Sequence, residues 1–385
     1  MIEVLRFLVL FFFAIPVVIF GFYGLILVYF GKIRKPHKET DKPAFESEFK
    51  PFVSVVTATH NEEMIIAKKI ENLLSSNYPM QNREMIFVDD SNDSTPSILE
   101  QYSLKYPNIR LIRFSNRMGY SHSMFAGVKE SKGDIIVLSD AGSFHDGDTI
   151  FNLVRHFGDP KIGAVTGKDV ILNANEEVGS SEAFYLRILN FVGTAETRMD
   201  STFYFKGEAS AVRKKLILDL SGIGATFDTA VALFVRQKGY KAFFDPEAKF
   251  YEYAPKERNE RVKQKTIRAA GWIKILLKFR SMIFNRKYGK FGMLTLPANF
   301  GMLIIAPVAI LLGLVSLAVL TFFDPFFALY AWGVLAALAL LSIAASRHLL
   351  RTFLDFEYSL LKALYEIAFT KKKHDQIDKV LSTRR

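Results

Sequence analysis

Acidic residues at three places in the chain have the right company for chemistry. Asp228 is the only ionisable side chain in the run Gly224-Ala-Thr-Phe-Asp-Thr-Ala-Val-Ala-Leu. The pair Asp89-Asp90 and the single Asp140 each directly follow an apolar, strand-like run. A carboxylate within hydrogen-bond reach of a hydroxyl can take its proton as a new bond forms. A carboxylate beside a diphosphate suits a hard divalent cation with oxygen ligands, which would neutralise charge on a departing group. The run Thr57-Ala-Thr-His-Asn-Glu-Glu adds further polar groups at a strand end. Asp89 or Asp90 could accept from a ring N–H or a ribose hydroxyl. Taken singly, either would read as a turn or cap residue before the helix expected at Pro96. Together the clusters suggest chemistry on an anionic substrate.

These side chains need a frame. Val53-Ser-Val-Val-Thr-Ala, Met85-Ile-Phe-Val, Ile109-Arg-Leu-Ile-Arg-Phe and Ile135-Ile-Val-Leu read as strands, with helices expected over Glu62 to Ser75 and Pro96 to Tyr106. Short apolar strands alternating with helices predict an α/β domain built on a mostly parallel sheet covered on both faces. Ligands of such sheets bind beyond the carboxyl ends of the strands. The 385 residues suffice for one such domain, placed at 52–255, plus a membrane part. With no cysteine in the chain, disulfides and thiolate catalysis are excluded. The net charge of +11 favours anionic lipid surfaces or anionic substrates. Nucleic acid is not expected as a partner, since no zinc spacing or basic recognition helix is present.

Leu5 to Tyr29 carries one charge, Arg6, and is long enough to cross hydrocarbon. It exceeds a signal-peptide core and no small-residue cleavage site follows, so residues 1–38 are expected to be a retained span with a basic flank. Residues 40 to 52 read as a linker. The basic stretch 256–290, with Trp272, Ile273, Leu276, Leu277 and Phe279 interleaved, reads as one or two amphipathic helices at the membrane interface. Two apolar runs near Leu294–Phe323 and Phe326–Ala345, broken by Asp324-Pro325, give two more spans within 291–346. The charge bias puts the N-terminus outside, the catalytic domain on the cytoplasmic side of the plasma membrane, and 347–385 as a cytoplasmic helix and tail.

Several ordered motifs now fall into place: Val53 to Glu63, Phe87-Val-Asp-Asp-Ser, Asn116-Arg-Met-Gly-Tyr-Ser, Leu138-Ser-Asp-Ala-Gly-Ser, Phe205-Lys-Gly-Glu-Ala-Ser, Phe227-Asp-Thr-Ala, Asp245-Pro-Glu-Ala and Gln264-Lys-Thr-Ile-Arg-Ala-Ala-Gly-Trp. From Val53 to about Trp272 the chain resembles the family 2 glycosyltransferases. That resemblance implies a GT-A fold, Rossmann-like, and an inverting transfer of a sugar from a nucleotide-diphosphate donor such as a UDP- or GDP-sugar. It implies that Thr57, His60, Glu62, Asp89, Asp90 and Arg117 bind the nucleotide part. Asp140 would touch Mg2+ or Mn2+ and the diphosphate, and Asp228 would be the catalytic base. Gly207 would line the acceptor channel, with Gln264, Arg268 and Trp272 near acceptor and diphosphate. The expected acceptor is a hydroxyl of a membrane-associated glycan or glycolipid. The alternatives are a polyprenyl phosphate and a non-catalytic nucleotide-sugar-binding protein; a homo-oligomer is possible. The pattern also has departures. Gly142 replaces the second acid of Asp-x-Asp, Phe227 the acid before Asp228, and Tyr120 the lysine often found after Asn-x-x-Gly. The Gln-x-x-Arg-Trp motif is spread to four-residue spacings, which speaks against processive synthesis.

Overall fold

The β-branched runs pair as strands in one eight-stranded sheet, in the order β3-β2-β1-β4-β7-β6-β8-β5. The strands are β1 Val53–Thr59, β2 Arg83–Asp89, β3 Ile109–Arg113, β4 Ile135–Ser139, β5 Phe144–His145, β6 Ile162–Ile171, β7 Ala209–Arg213 and β8 Lys241–Glu252. This computed structural model describes residues 1–33, 49–218, 227–346 and 348–369, and not the side chains of 227–229. The linker and basic flank expected between 34 and 48 therefore lie outside the described residues, as do Arg347 and everything after 369.

Strands β1 to β4 run parallel. Strand β7 runs against both β4 and β6, and β5 against β8, so the sheet is mostly parallel. Strand β8 is hard to see in the sequence because Asp245-Pro-Glu-Ala breaks its apolar pattern. The register jumps from Gly167/Asp245 to Lys168/Lys249, which takes Pro246 out of the ladder.

Side chains alternate between two cores. Val56, Ile86, Val88, Ile136 and Leu138 face one way, against Met124 and Val128 of the helix Tyr120–Glu130. Val53, Val55, Met85, Phe87, Ile135 and Val137 face the other way, against Ile66, Ile70 and Leu73 of the helix Ile66–Leu74. Both faces are covered, which is why the strands read as continuous apolar runs. Helix Tyr120–Glu130 sits close enough that a Cβ on Gly127 would come within 2.5 Å of Val56 Cγ1 and 2.9 Å of Val88 Cγ2. Gly127→Val is expected to destabilise the chain by about 1–3 kcal/mol through overpacking. A lowered thermal midpoint of the full-length protein in detergent checks this.

The helix expected from Glu62 begins only at Ile66. Asn61 takes a left-handed φ of 57°, and the next peptides tie into the loop after β2. The Glu62 N–H donates to Thr95 Oγ1 at 2.8 Å, and the Asn61 N–H to Ser91 Oγ at 2.8 Å. The two strand-end loops are thus stitched together at the cost of one helical turn.

Three helices, Ile2–Ile33, Phe291–Phe323 and Pro325–Ala345, are long and apolar enough to cross a membrane. The second contains Pro297 and Pro307. Each follows a stretch wound as a π-helix, Phe291–Thr295 and Gly301–Ile305. A proline removes one N–H and crowds the carbonyl four residues back; local widening accommodates both without ending the helix. The first and second helices pack along each other, with Gly301 against Ile19 and Gly313 against Phe13. Arg6 Nε donates to Asp324 Oδ2 at 2.7 Å, so the one charge of the first run meets the acid at the break between the others.

Glu196 joins sheet domain and spans. It lies on the helix Glu177–Met199 and is fully buried. Its carboxylate accepts from Tyr23 at 2.6 Å and Asn299 at 3.1 Å, both on span helices, and from the Phe203 N–H at 2.7 Å. Burial raises its pKa despite these donors.

The basic stretch after 256 forms one long helix, Arg258–Lys278. Two of the cations assigned to an interfacial face are instead buried. Arg261 bonds Glu182 at 2.6 Å and Asp355 at 2.9 Å, and Lys265 Nζ lies 3.3 Å from Glu182. Countercharges on neighbouring helices make that burial tolerable. Asp355 belongs to the C-terminal helix Leu349–Phe369.

Candidate active site

A cavity of about 500 Å³ opens at the carboxyl ends of β1, β2 and β4. Strand parity decides what enters it. Val88 and Leu138 point towards the helix Tyr120–Glu130. The residues two further along, Asp90 and Asp140, continue on that side and line the cavity. Ala58, on the same face of β1, lines it too, followed by Thr59, His60 and Glu62.

Two of the residues expected to bind the nucleotide lie apart from the cavity lining. Thr57 and Asp89 follow Val55 and Phe87 on the opposite face, and neither lines the cavity. Thr57 is buried, and its hydroxyl has no hydrogen-bond partner among the described residues. Asp89 is buried and organises the turn after β2. It accepts from Thr59 Oγ1 at 2.7 Å and Ser91 Oγ at 2.6 Å. A pair of adjacent aspartates cannot send both side chains to one face of a strand end.

Asp90 has its own framework. His60 Nδ1 lies 2.9 Å from Asp90 Oδ1, while Oδ2 accepts from the N–H groups of Met118 and Gly119 at 2.8 and 3.0 Å. One carboxylate thereby fixes the β1 loop and the turn that leads into Tyr120. Arg117, on that turn, also lines the cavity. Asp90→Ala is expected to weaken nucleotide binding about tenfold or more, since charge-assisted hydrogen bonds of this kind contribute roughly 1.5–3 kcal/mol each. Titration calorimetry with nucleoside diphosphates checks it.

Asp140 Oδ1 accepts from the Tyr120 hydroxyl at 3.1 Å. Tyr120, at the position where lysine is often found, supplies a donor without a charge. The loop carrying Asp140 is held from below. Ser143 Oγ is within reach of the Asp140 and Glu208 carbonyls, at 3.1 and 3.0 Å, and buried Lys69 donates to the Ser143 carbonyl at 2.5 Å. His145 Nε2 sits 3.1 Å from Ser139 Oγ. Burial and the nearby Lys69 push the His145 pKa well down, so this ring stays neutral and structural.

The opposite wall comes from Gly207, Glu208, Glu252 and the Arg258–Lys278 helix. Gln264, Arg268 and Trp272 all line the cavity. Their four-residue spacing, a departure from the family motif, keeps them on one helical face. Arg268 approaches Glu208 at 3.9 Å. Burial works against its charge, yet Glu208, Glu252 and Glu182 outweigh it and raise the guanidinium pKa. One turn earlier, burial pulls the Lys265 ammonium down to about 7. Arg268 is therefore the permanent cation of this wall, suited to a diphosphate. Lys206, which bonds Asp169, and Glu252 also line the cavity and were missed as site residues. Lys206 lay inside a motif already quoted. Glu252 would have been found as an acid ending an apolar strand, had β8 been recognised.

Asp228 is the second residue of the helix Phe227–Gln237, but its side chain lies outside the described residues. Among the described residues no three His, Cys, Asp or Glu side chains form a metal cage. One carboxylate, Asp140, in a cavity able to hold a diphosphate still fits Mg2+ or Mn2+. These ions commonly bind through one or two carboxylates, with phosphate oxygens and water completing the shell.

Residues 54–220 match the family model described as glycosyl transferase family 2. A probable glycosyltransferase of Bacillus subtilis, YdaM, is 29% identical over 248 residues, 62% of this chain and 59% of that protein. The poly-beta-1,6-N-acetyl-D-glucosamine synthase of Staphylococcus aureus is 24% identical over 276 residues, 70% of this chain and 66% of that one. The chain thus spans somewhat less than two thirds of these relatives. Among solved structures, a Pyrobaculum calidifontis mannosyltransferase in complex with GDP-Man and Mn2+ superposes with a TM-score of 0.77 at 24% identity, covering 95% of this chain and all of that one. That likeness shows a GT-A-like fold.

Proposed function

From the match of residues 54–220 to glycosyl transferase family 2, we propose that the chain moves a sugar from a nucleotide-diphosphate donor to a hydroxyl of a membrane-associated glycan or glycolipid. The observation that carries this reading is the convergence of Asp90, Asp140 and Arg268 on one cavity at the strand ends, beside helices that can span a bilayer.

In this reading His60, Glu62, Asp90 and Arg117 hold the nucleotide. The acceptor oxygen attacks the anomeric carbon from the side opposite the diphosphate, the carbon–oxygen bond to the diphosphate breaks, and Asp228 takes the acceptor's proton. One base suffices for such a single displacement, unlike the paired carboxylates of glycoside hydrolysis. Arg268 faces the charge left on the departing diphosphate. Asp140 would hold Mg2+ or Mn2+, which when bound would supply further charge neutralisation there. The Mn2+ and GDP-Man of the Pyrobaculum enzyme support this choice of ion and donor class. The synthase relative supports a glycan acceptor. The basic residues flanking the spans support a cytoplasmic catalytic domain. Gln264, Gly207 and Trp272 are assigned to the acceptor side.

A thermal-shift screen of UDP- and GDP-sugars with and without Mn2+ tests the donor assignment, because a bound donor stabilises the folded chain in proportion to occupancy. The expected result is a Mn2+-dependent rise of the midpoint with one nucleotide class. No shift with any nucleotide sugar at millimolar concentration contradicts the proposal.

A further inference from the structure

The C-terminal helix Leu349–Phe369 carries two apolar faces, and the domain covers only one of them. On the inner face, Leu360 and Ala363 are fully buried in the main core. Asp355 pins that face to the Arg258–Lys278 helix through Arg258 at 2.6 Å and Arg261 at 2.9 Å. The rotation of the helix about its axis is thus fixed by the two ion pairs of buried Asp355. On the outer face lie Leu354, Tyr358, Leu361, Tyr365 and Phe369, spaced four, three, four and four residues apart, which is one helical stripe. Leu354, Tyr358, Tyr365 and Phe369 are 54%, 55%, 63% and 76% exposed. The Tyr365 and Phe369 rings pack on each other at 5.3 Å and stay mostly exposed.

A stripe of this length facing water would be costly, at about 25 cal/mol per Å² of apolar surface. Its position says what covers it. The helix begins four residues after the span Pro325–Ala345 ends, so its start is held at the level of the membrane surface. Tyrosine and phenylalanine at that level favour the boundary between headgroups and acyl chains. Lys362 is exposed, and Lys371-Lys-Lys follows in sequence, so the charge next to the stripe suits anionic headgroups.

We propose that the helix Leu349–Phe369 is not a free cytoplasmic tail but lies in the plane of the bilayer, with the Leu354–Phe369 stripe seated in the interface of anionic lipids. Its inner face then sets the height of the Gln264–Trp272 wall over the membrane. This does not depend on the donor or acceptor assigned above.

The absence of cysteine makes the test direct. Single variants Tyr358→Cys, Tyr365→Cys and, on the sheet domain, Lys129→Cys are spin-labelled in the full-length protein. They are reconstituted in nanodiscs of phosphatidylcholine and phosphatidylglycerol, and collision rates are read with oxygen and with a water-soluble nickel chelate. The expected ratio of oxygen to nickel collisions is several-fold higher at 358 and 365 than at 129, and unchanged in discs holding one protomer. Nickel access at 365 equal to that at 129 overturns the proposal. So does protection that disappears in single-protomer discs, which would assign the stripe to a second copy of the chain. Should either tyrosine variant fail to fold, Leu354→Cys and Phe369→Cys on the same stripe give the same reading.

Discussion

Asp228→Asn lowers transfer to a hydroxyl acceptor by about 10²- to 10⁴-fold, the usual contribution of a positioned general base. Donor affinity should stay within about twofold, because the residues proposed to hold the nucleotide lie on the β1, β2 and β4 side of the cavity. Asparagine keeps the shape and removes the proton acceptor, so the loss should appear in kcat and not in donor KM. The acceptor class changes the outcome. A phosphate acceptor is already ionised and needs no base, so a variant that retains full transfer would identify a polyprenyl phosphate as acceptor. Steady-state rates of nucleoside diphosphate release, wild type against variant, decide between them.

Asp140→Asn is expected to cost about 10²- to 10³-fold in turnover, the scale on which removal of one charge-stabilising group acts in a closed site. Its signature differs from that of Asp228→Asn. Loss of the carboxylate should also weaken Mn2+ binding in the presence of a nucleoside diphosphate, which can be read by the Mn2+ electron paramagnetic resonance signal without turnover. Asp140 holds the first position of the family's acidic pattern, and Gly142 occupies the second. Tyr120 donates to Asp140 at 3.1 Å and holds it in place.

Much of this site was legible because strand-end carboxylates in a parallel sheet have few places to go. Asp90 and Asp140 are recognisable from the apolar run that precedes each, and alternation carries them to the correct face. The same alternation turns Thr57 and Asp89 to the other face of the sheet, and only the phase of the strands, fixed once Val56 and Val88 are known to pack against Gly127, reveals it. Motif resemblance treats adjacent residues alike, whereas the pleat does not. Lys206 and Glu252 escaped notice for another reason. They arrive on β7's entry and β8's exit, and β8 is masked in sequence by the Pro246 bulge.

The helix Arg258–Lys278 shows the limit of charge patterning. Its alternation of basic and apolar residues suggests a surface helix, yet Arg261 and Lys265 find Glu182 and Asp355 on helices far away in sequence. Long-range countercharges of this kind leave no local signature. The spread motif Gln264, Arg268, Trp272 is the reverse case. Its unusual spacing looked like a loss, and helical geometry shows that it preserves a common face.

On the proposed function, this cavity transfers a sugar out of a nucleotide-diphosphate donor at the membrane. The fate of radiolabelled UDP- and GDP-sugars tests this. They are incubated with the full-length protein in nanodiscs containing membrane lipid extract and Mn2+, beside the Asp140→Asn variant. The account predicts that one donor class is consumed, that label passes into a lipid- or glycan-bound fraction, and that the variant does so about a hundredfold more slowly or worse. Intact, folded protein that consumes neither donor, or a variant that matches the wild type, contradicts it.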